Sequence, residues 1–294
     1  YDSRGSSRTY SISADSGYTI QNVKVDGVDQ GAITTYTFTN ITAPHSIEVV
    51  TTATLNNVTI NQDTGGHVVQ GLDDCTSSSC SYTRYSGTYT FVFAPDANYS
   101  LYGLSINGVV QPVPGGQVTT YSLPIAIAGS TTIDVDWEPL INVTSSAGTG
   151  GTISPSGTTA VPRGQSLTLD IVPDAGYRIF SITDNGVNVG NTSPYTLTNI
   201  QATHDVVVTF MPVHTLTATA GPNGTITPVG DTIVDHGSTL LFTMNGNTGY
   251  VVSDVVVDGV SVGAVTNYTF TGITADHTIA VTFAAASIPS DYCA

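Results

Sequence analysis

Asp254-Val-Val-Val-Asp-Gly-Val-Ser-Val-Gly263 is the stretch on which the reading of the fold turns. Apolar residues flank Asp258-Gly259, the pair that a tight two-residue hairpin favours, because both central positions need positive φ. The stretch recurs as Val23-Lys-Val-Asp-Gly-Val-Asp-Gln-Gly31 and, more loosely, as Thr183-Asp-Asn-Gly-Val-Asn-Val-Gly190 and Leu104-Ser-Ile-Asn-Gly-Val-Val110. Ahead of each stands a small residue and a tyrosine: Gly17-Tyr18, Asn98-Tyr99, Gly176-Tyr177 and Gly249-Tyr250. Behind each comes a Tyr-Thr-Phe-like strand, at Tyr36 to Phe38, Tyr121 to Leu123, Tyr195 to Leu197 and Tyr268 to Phe270. The small-residue anchors lie 81, 78 and 73 residues apart, so four units follow one another.

Working outward, Ile141-Asn-Val-Thr-Ser-Ser and Leu216-Thr-Ala-Thr-Ala alternate apolar with small or polar residues, as half-buried strands do. Gly151-Thr-Ile-Ser-Pro and Gly224-Thr-Ile-Thr-Pro follow a glycine turn and end at a proline, which suits a strand end. A third strand, Ser166 to Val172 and Ser238 to Met244, leads to the Gly-Tyr corner, and Val206 to Phe210 or Ile279 to Phe283 closes the unit. The expectation is an all-β chain: a tandem array of four small β-sandwich-like modules of about six strands in two layers. They span residues 1–52 (incomplete), 53–138, 139–212 and 213–286, with a tail at 287–294.

This order of glycine-rich opening, Gly-Tyr corner, Asp-Gly-Val hairpin, Tyr-Thr-Phe strand and final Thr-Phe resembles the divergent internalin B-type repeat of large secreted and cell-surface proteins. The resemblance covers units three and four almost fully and units one and two in part. It implies extracellular display, adhesion or scaffolding, with no shared catalytic site.

Two units depart from the pattern. Unit two carries an insertion, Gly71-Leu-Asp-Asp-Cys75-Thr-Ser-Ser-Ser-Cys80-Ser-Tyr82, where the others have a short turn. In unit one, Tyr10-Ser-Ile-Ser-Ala14 already corresponds to the third strand, so the first two strands are not represented. Such a half-sheet exposes unpaired backbone groups and an apolar face.

Composition limits the partners. Six Lys plus Arg against 22 Asp plus Glu give a formal charge of −16. The basic residues Arg4, Arg8, Lys24, Arg84, Arg163 and Arg178 are scattered singly, which disfavours nucleic acid and anionic membrane surfaces. Charged residues make up 10% of the chain, well under the roughly 25% of ordinary soluble domains. Thr, Ser, Asn, Gly and Tyr therefore cover the surface. No apolar run is long enough for a membrane-spanning helix, and Tyr1 opens no recognisable signal peptide, so the start reads as processed or trimmed.

Cys75 and Cys80 fit a local disulfide stapling the inserted loop; a zinc site lacks a second ligand pair. Cys293, left over, reads either as an intermolecular bond or as a free thiol. His45, His204 and His277 share one position before the closing strand, which points to a structural turn partner. Asp235-His236-Gly237-Ser238 holds the ingredients of a hydrolase triad, but triad members converge in space rather than in sequence. Asp73-Asp74 and Asp134/Asp136 are the densest acidic groups, without a calcium-loop pattern. Asn-x-Ser/Thr occurs at Asn40, Asn57, Asn98, Asn142, Asn191, Asn223 and Asn267, seven candidate glycosylation sites where chance gives roughly four. No phosphate loop, haem-attachment motif or His-Glu-x-x-His is present. Most of the repeated tyrosines read as packing residues rather than sugar-stacking platforms.

The expected function is that of a non-enzymatic extracellular structural protein with no cofactor and no catalytic residues. It partners itself by β-strand augmentation at the incomplete first module, forming a filament, sheath or surface lattice. The alternative is an adhesin or stalk binding cell-surface glycans, with the Cys75–Cys80 loop as its tip.

Overall fold

The computed structural model describes residues 4–114 and 116–287, and within them the chain is built from strands and turns, without helix. Two compact units divide it. One is Tyr1–Ile141 with Ala160–Ser166 and Thr198–Ala202; the other is Asn142–Thr159, Leu167–Leu197 and Thr203–Ala294.

The turns explain why the strands are so short and so regular. Asp26, Asn107, Asn185 and Asp258 have φ of 48°, 51°, 47° and 50°, and the glycines after them have φ of 80°, 74°, 79° and 81°. Positive φ at both central positions is the type I′ hairpin geometry that matches strand twist. The Gly-Tyr corner is a second turn: Tyr18, Tyr99, Tyr177 and Tyr250 donate their N–H to Asp15, Asp96, Asp174 and Asn247, three residues back, at 2.8–3.1 Å.

In the second unit, repeat four shows the module complete. One sheet runs, in order, Gly230–Asp235, the latter half of His204–Ala220, His277–Ala285, Tyr250–Val257 and Val260–Gly263. The facing sheet is Gly224–Thr227, Leu240–Gly246 and Asn267–Phe270. Neighbours are antiparallel except the opening and closing strands, which pair in parallel from Leu216↔His277 to Ala220↔Val281. Alternate residues face inward, so Leu216, Ala218, Ile279 and Val281 are each at most 1% exposed, over Phe242 and Met244 at 0%. Burying each large side chain of this kind contributes about 1.5–3 kcal/mol.

Parallel pairing of the opening and closing strands lets the chain leave a module in the direction it entered. Repeat three accordingly hands over to repeat four within one 17-residue strand, His204–Ala220. Its first half pairs in parallel with Ile141–Ala147, and its second half antiparallel with Gly230–Asp235. At the handover the N–H of Val213 donates to the Gly176 carbonyl at 2.8 Å. The same bond runs from Thr54 to Gly17, Leu140 to Asn98 and Ala286 to Gly249. The corner residue that supplies positive φ thus also pins the residue that follows each closing strand.

In the first unit, repeat two follows the same plan, with Thr131–Pro139 parallel to Leu55–Gln62. The insertion adds Asp73–Cys75 as a fourth strand to the second sheet and lengthens Ser79–Tyr85 at the edge of the first. Cys75 and Cys80 are disulfide-bonded with Cα atoms 5.8 Å apart. They lie on strands of different sheets, so the bond joins the two layers rather than closing a hairpin tip. Cys75 is fully buried in a core with Phe91, Phe93, Leu101 and Trp137.

Repeat one has Tyr18–Val25 between Val28–Asp29 and Ile47–Ala53, with Arg8–Ser11 paired to Thr35–Phe38. Its closing strand, Ile47–Ala53, lies at the sheet edge; no opening strand runs beside it among the described residues. The core shrinks to match, with Val23, Val25 and Phe38 as its buried members.

Candidate functional site

The hairpin Asx residue has a second job besides its turn. Asp26, Asn107, Asn185 and Asp258 each accept, on Oδ1, the backbone N–H of Ser46, Thr132, Asp205 and Thr278 at 2.8–3.0 Å. Glycine would supply the φ but not this acceptor. In repeats one and four the second carboxylate oxygen meets the preceding histidine: Asp26 Oδ2 lies 2.6 Å from His45 Nδ1, and Asp258 Oδ2 lies 2.7 Å from His277 Nδ1. In repeat three the jobs divide, with Asn185 taking the backbone and Asp184 Oδ2 taking His204 Nδ1 at 2.7 Å. His45 and His277 also stack near Phe38 and Phe270, at 4.5 and 4.8 Å between ring centroids. Repeat two has the buried Thr131 at this place. The His45 hydrogen bond, then the Ser46 N–H, holds the Asp26 carboxyl below its ordinary range; for Asp258 the Thr278 N–H is the larger cause, with His277 also lowering it. These contacts are structural clamps within a module.

The Asp235-His236-Gly237-Ser238 tetrad does not assemble. Asp235 forms a bidentate ion pair with Arg178, both contacts at 2.6 Å, which lowers its pKa. His236 Nδ1 lies 2.9 Å from His214 Nε2. The Ser238 hydroxyl is buried and has no hydrogen-bond partner. The Arg178 and His214 contacts bolt the handover strand of repeats three and four, as does the His236 N–H to Pro212 carbonyl bond at 3.0 Å. Nothing in the tetrad's spacing signals these partners, which come from distant strands.

Asp73 and Asp134 are likewise occupied by protein. Asp73 pairs with Arg84, and Asp134 accepts from Asn61 Nδ2 at 2.8 Å and Ser105 Oγ at 3.2 Å. Desolvation, then Asp63 and Glu138, pushes the Asp136 carboxyl up. Among the described residues no three His, Cys, Asp or Glu side chains gather as a metal-binding group. The inserted loop is held from beneath by Gln62, whose Nε2 donates to the Cys75 and Ser77 carbonyls at 2.7 and 3.0 Å while its Oε1 accepts from Trp137 Nε1 at 3.2 Å. Its tip residue Leu72 is fully exposed.

All seven sequon asparagines are exposed. The hydroxyl residue of the Asn98 sequon, Ser100, is buried, and that of Asn191, Ser193, accepts the Ile171 N–H at 2.9 Å. Asn40, Asn57, Asn142, Asn223 and Asn267 carry no such encumbrance. Cys293 lies outside the described residues.

The feature that remains is the edge of repeat one. A trough of 720 Å³ beside Ile47–Ala53 is lined by Tyr10, Ile12, Phe38, Ile41, Ile47 and Val49. Val49 is 40% exposed, whereas its counterparts Val135, Val208 and Val281 are 5%, 0% and 1% exposed under their parallel opening strands. Ser11, Ser13 and His45 share its lining, so the trough is of mixed character, and an unpaired strand edge borders it.

Residues 141–213 and 214–287, together half of the chain, each match the divergent InlB B-repeat domain. The chain belongs to that family. The matched spans meet within the handover strand His204–Ala220, so adjacent B-repeats share one continuous strand. Repeats one and two lie outside the matched spans: one carries the open edge and the other the insertion. No curated protein matches the chain. Among solved structures, the Bacillus anthracis TIE protein aligns at 10% identity and a TM-score of 0.23, covering 94% of this chain and 68% of that one. The pilus adhesin SpaC from Lactobacillus rhamnosus GG, in an open conformation, aligns at 9% identity and a TM-score of 0.21, covering 88% and 47%.

Proposed function

We propose that this chain is a non-enzymatic structural protein of the cell surface whose B-repeat array self-assembles through the open edge of repeat one. The carrying observation is the contrast between Val49, 40% exposed, and Val208 and Val281, buried by a parallel strand. An unpaired strand beside a trough that exposes Val49 is a template for strand addition. Repetition of that contact head to tail makes a filament or lattice when its rotation does not close. A neutral Thr- and Ser-rich surface, with sugars on the accessible sequons, suits close subunit packing. Cys293 is a candidate for locking neighbours covalently. Sedimentation and electron microscopy of the purified chain over rising concentration test this: ordered polymers that vanish in Val49→Lys support it, and a monomer at all concentrations removes it.

Exposed Leu72 at the tip of the disulfide-anchored insertion favours a second reading, an adhesin that presents this loop to cell-surface glycans. Binding on a glycan array that is lost when residues 71–74 are replaced by Gly and Ser, with assembly unchanged, would select it.

A further inference from the structure

We infer that the slot beside Ile47–Ala53 takes a parallel opening strand of the B-repeat type followed by its turn. This rests on the self-assembly reading for its biological use, but its chemistry stands on three occupied slots within the same chain.

Those slots fix the register. His204 lies opposite Val143 and His277 opposite Leu216; two residues on, Val206 lies opposite Ser145 and Ile279 opposite Ala218. All four opening-strand residues are at most 2% exposed. Repeat two places Val58 and Ile60 at the same points, opposite Thr131 and Ile133. The equivalent positions in repeat one are His45 and Ile47, so the donor carries an aliphatic side chain facing His45 and a small or aliphatic one facing Ile47. A slip of one residue would turn its polar face into the trough, so the alternation sets the register.

The donor's turn is specified too. In repeats two and three the corner tyrosines Tyr99 and Tyr177 lie against Gly65 and Gly150, where an added Cβ would come within 2.2 and 2.3 Å of the ring. In repeat one the equivalent Tyr18 is 51% exposed. A glycine placed as Gly150 is, three residues past the residue that faces Val208, would pack against that ring. The donor thus reads aliphatic-x-small-x-small, then two residues, then glycine or asparagine, which is the pattern of Val143 to Gly150 and of Leu216 to Asn223. At Thr51 repeat one lacks the aromatic that Trp137, Phe210 and Phe283 supply, so the donor's second glycine has no ring to clear.

The test uses the whole chain and a synthetic peptide of residues 141–154, with a Val143→Asp peptide as control. Hydrogen exchange is read amide by amide, and self-association is read separately by sedimentation. Slowing of exchange by tenfold or more over residues 45–53, together with a shift of the Tyr18 ring signals in NMR, is expected with the native peptide and not with the control. Equal protection by both peptides, protection elsewhere, or none overturns the inference. If the peptide binds as expected while the chain alone never associates, the slot stands and the self-assembly reading falls. Association that the peptide neither joins nor inhibits, with no protection at residues 45–53, leaves assembly to another surface and overturns the slot.

Discussion

Asp258 Oδ1 accepts the backbone N–H of Thr278 at 2.8 Å across 20 residues of sequence, tying the hairpin turn to the start of the closing strand. Because the turn needs positive φ and the strand needs an acceptor, Asp and Asn satisfy both demands and glycine satisfies one. Asp258→Asn should therefore keep the turn and the Thr278 contact, as Asn107 and Asn185 do at their sites, and lose only what the ionised carboxylate gains from His277. Asp258→Gly should lose about 1 kcal/mol from repeat four, and Asp258→Val more, since a β-branched residue resists φ near 50°. Urea unfolding followed by hydrogen exchange at residues 250–285 measures the order; equal loss in Asn and Gly variants would contradict it.

The pH response has two opposed parts. Asp26, Asp235 and Asp258 have folded pKa values below the ordinary 3.8. Their ionised forms therefore stabilise the fold above that value, and the contribution is lost as pH falls through the lowered folded values. Asp136 has its folded value raised, so its contribution is present at low pH and is lost as pH rises through that value. Melting temperature should fall below about pH 4, less steeply in Asp26→Asn. Asp136→Asn should raise it at about pH 7 and leave it unchanged at about pH 3. Thermal scans across that range decide both.

The hairpins and corners were legible because Asp-Gly, Asn-Gly and Gly-Tyr are demands of the backbone itself, and the chain states them four times. The handover strand was not legible. Pro212 and Val213 read as a boundary, yet parallel pairing on both sides keeps His204–Ala220 extended through it. The histidine clamps were half visible: the shared position marked a structural role, but the Asp26 and Asp258 partners lie 19 residues away, where only the fold joins them. Cys75 and Cys80 looked like a loop staple because sequence spacing carries no information about which sheet each residue joins.

Arg178 and Asp235 connect repeats three and four with two contacts of 2.6 Å. Both side chains are about two-fifths exposed, at 38% and 41%, so solvent screens the pair. A double-mutant cycle with Arg178→Ala and Asp235→Ala should give a coupling of about 0.5–1 kcal/mol that fades in about 1 M salt. Arg178→Lys should recover little of it, because an ammonium cannot reproduce the two-pronged contact. A coupling unchanged by salt would assign the effect to packing of the Arg178 stem instead.

Gly150 has φ of 99°, and a Cβ there would lie 2.3 Å from the Tyr177 ring. Gly150→Ala meets both penalties and should cost repeat three about 2–4 kcal/mol. Gly176→Ala, at φ of 79° with no atom within 4 Å of the added Cβ, meets only the backbone penalty and should cost about 1–2 kcal/mol. If the tyrosine contact matters, pairing Gly150→Ala with Tyr177→Ala should recover part of the first loss. Chemical denaturation of the four chains measures this, and strictly additive losses would show that the ring is not what glycine accommodates.

The Cys75–Cys80 bond joins the two sheets of repeat two, but its covalent loop is short. The chain-entropy picture assigns a loop of this size about 2 kcal/mol, small beside what a long-loop disulfide contributes. Gln62, reaching the Cys75 and Ser77 carbonyls, and the Arg84–Asp73 ion pair hold the same segment without it. Cys75→Ala with Cys80→Ala should therefore lower the stability of repeat two by about 2 kcal/mol while its core amides at Phe91 and Ile133 stay protected in native conditions. Adding Gln62→Ala strips the buried polar support from the same carbonyls and should make the combined loss exceed the sum of the separate ones, because each device compensates for the other. Exchange rates at residues 72–82 in the three variants test the coupling. Simple additivity would mean that the disulfide and Gln62 act on different parts of the insertion.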